Sequence, residues 1–248
     1  MTAIKLATLI RPVGFITLSL LLFVGLSSVP QSVHAQYNRL SAKSLSEKVV
    51  NHMKHVGANK QMILVSVPSQ GSSHALVQTF ERNGQGKWIR KLSIPGIIGK
   101  YGLTRSMHEG SKKSPAGKFT ITRAFGRHKN PGTKLSYHRI KPTDVWVDNV
   151  HSRYYNTLQN SRKVHLYSEK MNIPQYDYGF VINYNTSHPK RGAGSAIFFH
   201  INGRYGYTLG CTAVSKSTVV KILKWLNPKK QPIIIQDTVD KLAKMQHY

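Results

Sequence analysis

The chain is poor in cysteine and in acidic residues. Cys211 is the only cysteine among 248 residues, so no disulfide can form within the chain. Asp and Glu number nine against 36 Lys and Arg, which gives a formal net charge of +27. The single cysteine excludes a disulfide-stapled small domain, and the excess of basic residues predicts polyanionic surroundings.

Several motifs that mark common functions are missing. The sequence has no G-x-G-x-x-G, no G-x-x-x-x-G-K-[ST] and no H-E-x-x-H, which excludes dinucleotide-binding, P-loop and zincin proteins. His52 and His55 lie one turn apart, but no further ligand accompanies them. Asp144 and Asp148 alternate along a predicted strand and could resemble a catalytic carboxylate pair, but no second feature indicates acid–base chemistry, so we expect surface or intramolecular pairing. No nucleic-acid module accompanies the scattered basic residues. We therefore expect no metal, no cofactor and no specific nucleic acid.

Residues 1–35 have the pattern of a secretory signal peptide. Lys5 and Arg11 precede an apolar run from Val13 to Leu26, and Val33-His34-Ala35 forms a small-x-small cleavage site. The run is short for a membrane span, although a retained N-terminal anchor is the alternative. We predict an exported protein associated with the cell wall. Loss of two basic residues and no acid lowers the charge from +27 to +25, and this charge favours binding to anionic wall polymers or an anionic membrane surface.

Hydrophobic periodicity predicts strands that follow one short helix. In the N-terminal helical segment, residues 36–60, the run Ser44 to Glu47 fits a helix capping box. Two apolar runs, 62–67 and 75–80, then flank a Ser/Gly-rich turn and predict a hairpin. Ala196 to Phe199 is a short apolar run before His200 and predicts a buried strand.

A helix and a final strand are predicted after Cys211. The helix is indicated by apolar residues at i, i+3, i+4 and i+7, with Ser215 or Ser217 as the cap: Val219, Ile222, Leu223 and Leu226. Ile233 to Ile235 reads as the last strand. We therefore predict a strand-dominated α+β or β-sandwich domain over residues 61–236, followed by a polar tail, 237–248.

Cys211 and His200 are the candidates for chemistry. A free thiol on a turn beside Gly210, with a histidine at the end of the preceding strand, is the minimum for nucleophilic acyl transfer. The alternatives are a buried cysteine that acts as a small hydrophobe and a core histidine with satisfied hydrogen bonds. No acid is near in sequence, so we expect a backbone carbonyl to orient His200. We expect the surrounding positive charge to lower the pKa of the thiol.

These residues also resemble a known family. The run Thr208-Leu209-Gly210-Cys211 resembles the Ser/Thr-x-Gly-Cys signature of the YkuD-like L,D-transpeptidases. Other segments similar to that family are Ser114 to Phe119, Trp146-Val147-Asp148, Tyr155-Asn156, Gly194 to His200 and Trp225 to Pro228. The resemblance covers roughly residues 61–236. It implies an L,D-transpeptidase-like β-sandwich, with a helix after the catalytic cysteine, that acts on peptidoglycan stem peptides.

The resemblance also implies roles for individual residues. Cys211 is then the nucleophile and His200 its general base and acid, with backbone amides from Leu209 to Cys211 as candidates to hold the oxyanion. Thr208 is expected to orient a ring nitrogen or the substrate. No metal or cofactor is implied.

The chain departs from the family pattern at three points. Leu209 stands where many members have His, and Ala213 where they have Arg. The stretch between His200 and Cys211 is also shorter than usual. Arg204 or Lys216 is the candidate to replace the missing arginine in binding the donor carboxylate.

Three functions follow from these patterns. The first is a secreted L,D-transpeptidase, and the second is an L,D-carboxypeptidase that uses water as the acceptor. The third is a non-catalytic cationic module that binds the cell wall. The sequence does not decide the oligomeric state.

Overall fold

Strands carry most of the regular structure in the computed structural model, which describes residues 47–53, 56–164 and 168–245. The strands are β1 (Gln61–Val67), β2 (His74–Arg82), β3 (Trp88–Ile97), β4 (Leu103–Thr104), β5 (Ser114–Pro115), β6 (Gly117–Thr120), β7 (Arg123–Gly126), β8 (Ser136–Arg139), β9 (Asp144–Trp146), β10 (Leu158–Asn160), β11 (Glu169–Lys170), β12 (Gly179–Val181), β13 (Phe198–Ile201), β14 (Thr212–Val214) and β15 (Ile233–Thr238). The helices are α1 (Glu47–Asn51), α2 (Ser161–Val164), α3 (Lys216–Trp225) and α4 (Val239–Lys244), with short 3-10 turns at Pro174–Tyr176 and Pro228–Lys230.

Ten strands form one sheet in the order β6-β15-β1-β2-β3-β14-β13-β12-β7-β8. The predicted hairpin is confirmed, since β1 and β2 pair antiparallel. The last strand, β15, lies parallel to β1 with Ile233 opposite Met62. β13 and β14 are also parallel, and this pair positions the candidate site. The predicted strand-dominated fold is confirmed.

The sheet curls so that its two halves share one core. Ile63 and Val65 of β1 pack in the same buried cluster as Phe180 of β12 and Phe199 of β13. Successive residues of a strand face opposite sides, so one side of β1 serves this core and the other side serves a second cluster.

Helix α3 closes the shared core and confirms the helix predicted after Cys211. Its predicted apolar face is buried in the core at Val219, Ile222, Leu223 and Leu226. The Ser215 side chain accepts a hydrogen bond from the Thr218 backbone N–H, so Ser215 rather than Ser217 is the N-cap.

Two terminal segments cover the outer side of β1. Met62 and Leu64 pack there against Val50 of α1 and Leu242 of α4. The segment predicted as a polar tail, 237–248, forms regular structure over its described part: its first two residues complete β15 and the next six form α4. Val239 and Leu242 are the buried side chains of α4, and the charged residues around them make this apolar pattern hard to recognise in the sequence.

A third cluster covers the outer side of β12 and β13. Phe198 packs edge-on against Trp146 and Tyr176, with ring centroids 4.9 and 5.5 Å apart. A small sheet in the order β10-β9-β11 supplies Trp146. The aromatic middle of the chain therefore forms a satellite core behind the candidate site.

The predicted signal peptide, residues 1–35, and Ser44 of the capping box lie outside the described residues. Among the helices that are described, none has the length and apolarity needed to span a membrane.

Candidate active site

Strand register brings Cys211 and His200 to one cavity. Cys211 immediately precedes β14, and His200 on β13 lies opposite Ala213. Paired residues share a face of the sheet and side chains alternate along a strand, so Cys211 and His200 face the same side. Both line a cavity of about 790 Å³.

The Cys211 thiol is held by two backbone groups. Its Sγ lies 3.2 Å from the Ala196 carbonyl oxygen, to which it donates, and 3.3 Å from the Phe198 backbone nitrogen, from which it accepts. The residue is only 8% exposed. Burial, together with the negative charge of Glu169, raises the pKa of the thiol. The expectation that surrounding basic residues lower this pKa is therefore wrong, because desolvation and a nearby acid outweigh the distant positive charge.

His200 is neutral and fixed in one tautomer. Its Nδ1 lies 2.8 Å from the Ile201 carbonyl oxygen and donates to it, which leaves Nε2 as the basic nitrogen. The prediction that a backbone carbonyl orients His200 is confirmed. Burial lowers the pKa of His200 to about 4. The Tyr176 ring packs edge-on against the imidazole, with centroids 5.2 Å apart.

Thr208 and Gly210 shape the turn that carries the thiol. Thr208 Oγ1 donates to the Cys211 carbonyl at 2.6 Å and accepts from the Gly210 N–H at 3.2 Å. Thr208 thus orients the cysteine turn, not a ring nitrogen of His200. Gly210 has φ +153°, and a Cβ there would lie 3.3 Å from side-chain atoms of Ile197 and Met107. Leu209 is 70% exposed and lines the cavity mouth.

The two candidate carboxylate-binding residues do not line the cavity. Lys216 Nζ pairs with an Asp177 carboxylate oxygen at 2.8 Å. The Arg204 guanidinium donates to the Tyr205 hydroxyl at 2.9 Å and lies over that ring. Tyr205 does line the cavity, so Arg204 lies next to its rim, whereas Lys216 is occupied elsewhere.

Sequence reasoning missed the role of Ser114. Its buried hydroxyl donates to the Gly210 carbonyl at 2.6 Å and accepts from the Gly99 N–H at 2.9 Å. It therefore ties two chain segments to the cysteine turn. The signal available in the sequence was that the segment from Ser114 to Phe119 resembles an element of the family.

The supporting roles of Asn156 and Ala196 were also missed, although both residues lie in segments that resemble the family. The Asn156 side-chain oxygen accepts from the Ala196 N–H at 3.1 Å and from the Trp146 indole at 2.8 Å. Ala196 has φ +53°, a left-handed conformation that is costly for a residue with a side chain. Asn156 thus helps to hold the strained residue whose carbonyl accepts from the Cys211 thiol.

Three acids line the cavity, and sequence reasoning assigned no role in the site to any of them. They are Glu109, Asp148 and Glu169. Burial raises the pKa of Asp148, and it raises the pKa of Glu169 to about 7. Tyr155 donates its phenolic hydrogen to Glu109, and Tyr176 donates to Glu169. Asp144, by contrast, pairs with His138 at 2.7 Å, as expected for an internal pair.

The chain matches the family model of the YkuD L,D-transpeptidase catalytic domain over residues 60–235. Two solved structures of the helical cell shape determining protein Pgp2 from Campylobacter jejuni, one of them a point mutant, are similar to it. The mutant is 15% identical, covers 88% of this chain and has a TM-score of 0.42. The other is 14% identical, covers 86% and has a TM-score of 0.41. This chain spans 62% and 60% of their lengths. No curated protein matches the chain. The family match covers well over half of the sequence, and the chain therefore belongs to the L,D-transpeptidase catalytic-domain family.

Proposed function

We propose that the protein is a cysteine-dependent L,D-transpeptidase that acts on peptidoglycan stem peptides. The observation that carries this proposal is that a buried thiol and a neutral, oriented imidazole line the same cavity. Cys211 is the nucleophile and His200 the general base and acid. Export to the cell wall and attraction to its anionic polymers are parts of the same proposal, since they rest on the N-terminal pattern and on the basic charge.

Acylation begins from a neutral pair. The raised pKa of the thiol and the lowered pKa of His200 keep both groups uncharged near pH 7. His200 Nε2 therefore takes the thiol proton as the sulfur attacks the donor carbonyl, instead of holding a preformed thiolate. The same nitrogen then protonates the departing D-Ala amine.

Backbone amides on the cysteine turn hold the charge that develops on the carbonyl oxygen. The Gly210 N–H already donates to Thr208. The amides of Leu209 and Cys211 are therefore the candidate donors to the oxyanion. Ser114 and Thr208 serve this step by fixing the carbonyls of the same turn, so that the donors are oriented before the substrate binds.

The test is a reaction with a disaccharide tetrapeptide, followed by mass spectrometry. A thioester on Cys211, formed in the wild type and lost in Cys211→Ala, supports the proposal. His200→Ala is expected to slow thioester formation by about 10² to 10⁴-fold, the usual contribution of a general base. Phe199 lies beside His200 but faces the core, so a conservative Phe199→Leu variant controls for local packing.

The acceptor decides between the two enzymatic functions. A cross-linked product in the presence of an acceptor amine identifies a transpeptidase, whereas tripeptide alone identifies a carboxypeptidase. If the wild type forms no thioester but still binds peptidoglycan, the proposal fails and a non-catalytic wall-binding module is the better description.

A further inference from the structure

The cavity wall is acidic in a chain that has almost no acid. Glu109, Asp148 and Glu169 are three of only nine acidic residues, and all three line the cavity that holds Cys211. Their charges interact: those of Asp148 and Glu109 raise the pKa of Glu169, and that of Glu109 raises the pKa of Asp148. The three carboxyl groups therefore interact electrostatically within one cavity.

These acids lack the cationic partners that other acids have. Four acids form ion pairs with basic side chains: Glu81 with Lys230, Asp144 with His138, Asp177 with Arg127, His128 and Lys216, and Asp237 with Arg105. Among the described residues, no basic nitrogen lies within 4.0 Å of the three cavity acids. Lys112 and Lys170 line the same cavity and are not paired with them.

Two phenols hold the carboxylates in place without neutralising them. The Tyr155 hydroxyl donates to Glu109 and the Tyr176 hydroxyl donates to Glu169. A phenol that donates a hydrogen bond favours the ionised carboxylate while burial disfavours it. The wall therefore contains oriented, poorly solvated negative charge, and a cationic group of the substrate would relieve the cost of that charge.

A metal ion fits this wall less well than an ammonium group. Within the described part of the chain, no three acidic, histidine or cysteine side chains are grouped closely enough to hold a metal. An ammonium has three N–H donors that can be shared between carboxylate and other oxygens, so it does not require the grouped ligands that a metal ion requires.

We propose that Glu169, supported by Asp148 and Glu109, is the subsite that binds the cationic acceptor amine and directs the acyl-enzyme to aminolysis instead of hydrolysis. This rests on the proposed function, because it requires a thioester on Cys211. Glu169 is the central member, since its charge acts directly on the Cys211 thiol and its phenol partner, Tyr176, packs against His200.

In the aminolysis step, Glu169 accepts a proton from the acceptor amine. The bound ammonium gives one proton to the Glu169 carboxylate, and the resulting amine attacks the thioester carbon. The C–N bond forms and the C–S bond breaks, and the sulfur leaves with the bonding electrons. The second proton of the amine passes to the sulfur through His200, which leaves a neutral thiol and an amide. The raised pKa of Glu169, about 7, makes it a better proton acceptor than an ordinary carboxylate.

This role predicts effects of opposite sign on the two half-reactions. The Glu169 charge raises the pKa of the Cys211 thiol. Removing this charge in Glu169→Gln is therefore expected to make thioester formation faster. Aminolysis by a cationic acceptor is expected to fall about tenfold or more, because a charge-assisted contact is lost. A residue that only supported the fold would slow both half-reactions together.

The experiment measures the two half-reactions separately in the full chain. Thioester formation is followed by mass spectrometry without acceptor, and the ratio of amide to hydrolysed product is measured with two acceptors. One acceptor is a stem peptide that carries a free side-chain ammonium, and the other is hydroxylamine, which is uncharged at neutral pH. Asp240→Asn, which removes an exposed acid on α4 far along the chain from the cavity residues, is the matched control.

We expect Glu169→Gln to lower the ratio of amide to hydrolysed product with the cationic acceptor only. Asp148→Asn is expected to show a smaller loss of the same kind, which guards against misfolding of a single variant. An unchanged partition in Glu169→Gln, or an equal loss with both acceptors, overturns the inference while the proposed function stands. If the wild type forms no thioester, both are overturned.

Discussion

Removing one buried hydroxyl should both destabilise the fold and misplace the nucleophile. Ser114 is fully buried, and its hydroxyl joins the Gly99 N–H to the Gly210 carbonyl. Ser114→Ala leaves a buried donor and a buried acceptor without this partner. Each unsatisfied group costs about 1–3 kcal/mol, so we expect a loss of roughly 3 kcal/mol in the free energy of unfolding.

That loss is large enough to measure by thermal and chemical denaturation. For a chain of this size, each kcal/mol lowers Tm by about 2–4 °C, so Ser114→Ala should melt roughly 6–12 °C below the wild type. Thioester formation at 25 °C, where the variant remains folded, should also slow, because the Gly210 carbonyl is no longer held. Ser106→Ala makes the same chemical change at an exposed serine and serves as the control. If Ser114→Ala stays within about 0.5 kcal/mol of Ser106→Ala, the buttressing role is refuted.

Three further predictions concern the thiol, the imidazole and the turn. Iodoacetamide should alkylate native Cys211 more slowly at pH 7.4 than a free thiol and faster as pH rises, because burial raises the thiol pKa; a rate equal to that of free cysteine would contradict this. The acidic limb of thioester formation should lie near pH 4 instead of 6.5, because burial lowers the pKa of His200 and the base is protonated only below that value; a limb at 6.5 in the pH profile would show a solvated imidazole. Gly210→Ala should reduce thioester formation at least tenfold, since a φ of +153° is strained for a residue with a side chain and the Cβ would lie 3.2 Å from the Lys113 carbonyl oxygen and 3.3 Å from Ile197 and Met107; mass spectrometry of the acylated protein checks this, and near-normal acylation would contradict it.

The strands and the main helix could be predicted because their signals are local. The hairpin of β1 and β2 follows from alternating apolar residues around a Ser/Gly-rich turn, and α3 follows from a four-residue apolar face with a serine cap. The α4 helix was missed because only two of its apolar side chains, Val239 and Leu242, are buried, and they lie among charged neighbours. Its helix depends on docking against β1 and β15, a tertiary contact that no local pattern reveals.

The Cys211–His200 pair could be predicted because a single cysteine is a rare feature, whereas the residues that support it are of common types. A single cysteine and a histidine before it in sequence indicate the Cys211–His200 pair directly. Ser114 lies 97 residues before Cys211, and a serine in a polar loop has no distinctive signal. The electrostatics were also mispredicted, because net charge describes the long-range field, whereas the pKa of a buried thiol depends on desolvation and the nearest charge.

The basic exterior and the acidic residues of the cavity act over different distances. At physiological ionic strength the Debye length is about 8 Å, so the basic surface attracts an anionic polymer from outside but its field is screened across solvent. Inside the cavity, burial raises the pKa of Glu169 to about 7, and the charges of Asp148 and Glu109 act on it at short range. Under the proposed function, the basic exterior concentrates the protein on the anionic cell wall, and the proposed subsite in the cavity selects an ammonium group on the bound peptide. Raising the salt concentration should consequently weaken binding to peptidoglycan sacculi much more than it changes the ratio of aminolysis to hydrolysis. An equal salt dependence of the two measurements would mean that a single surface field governs both.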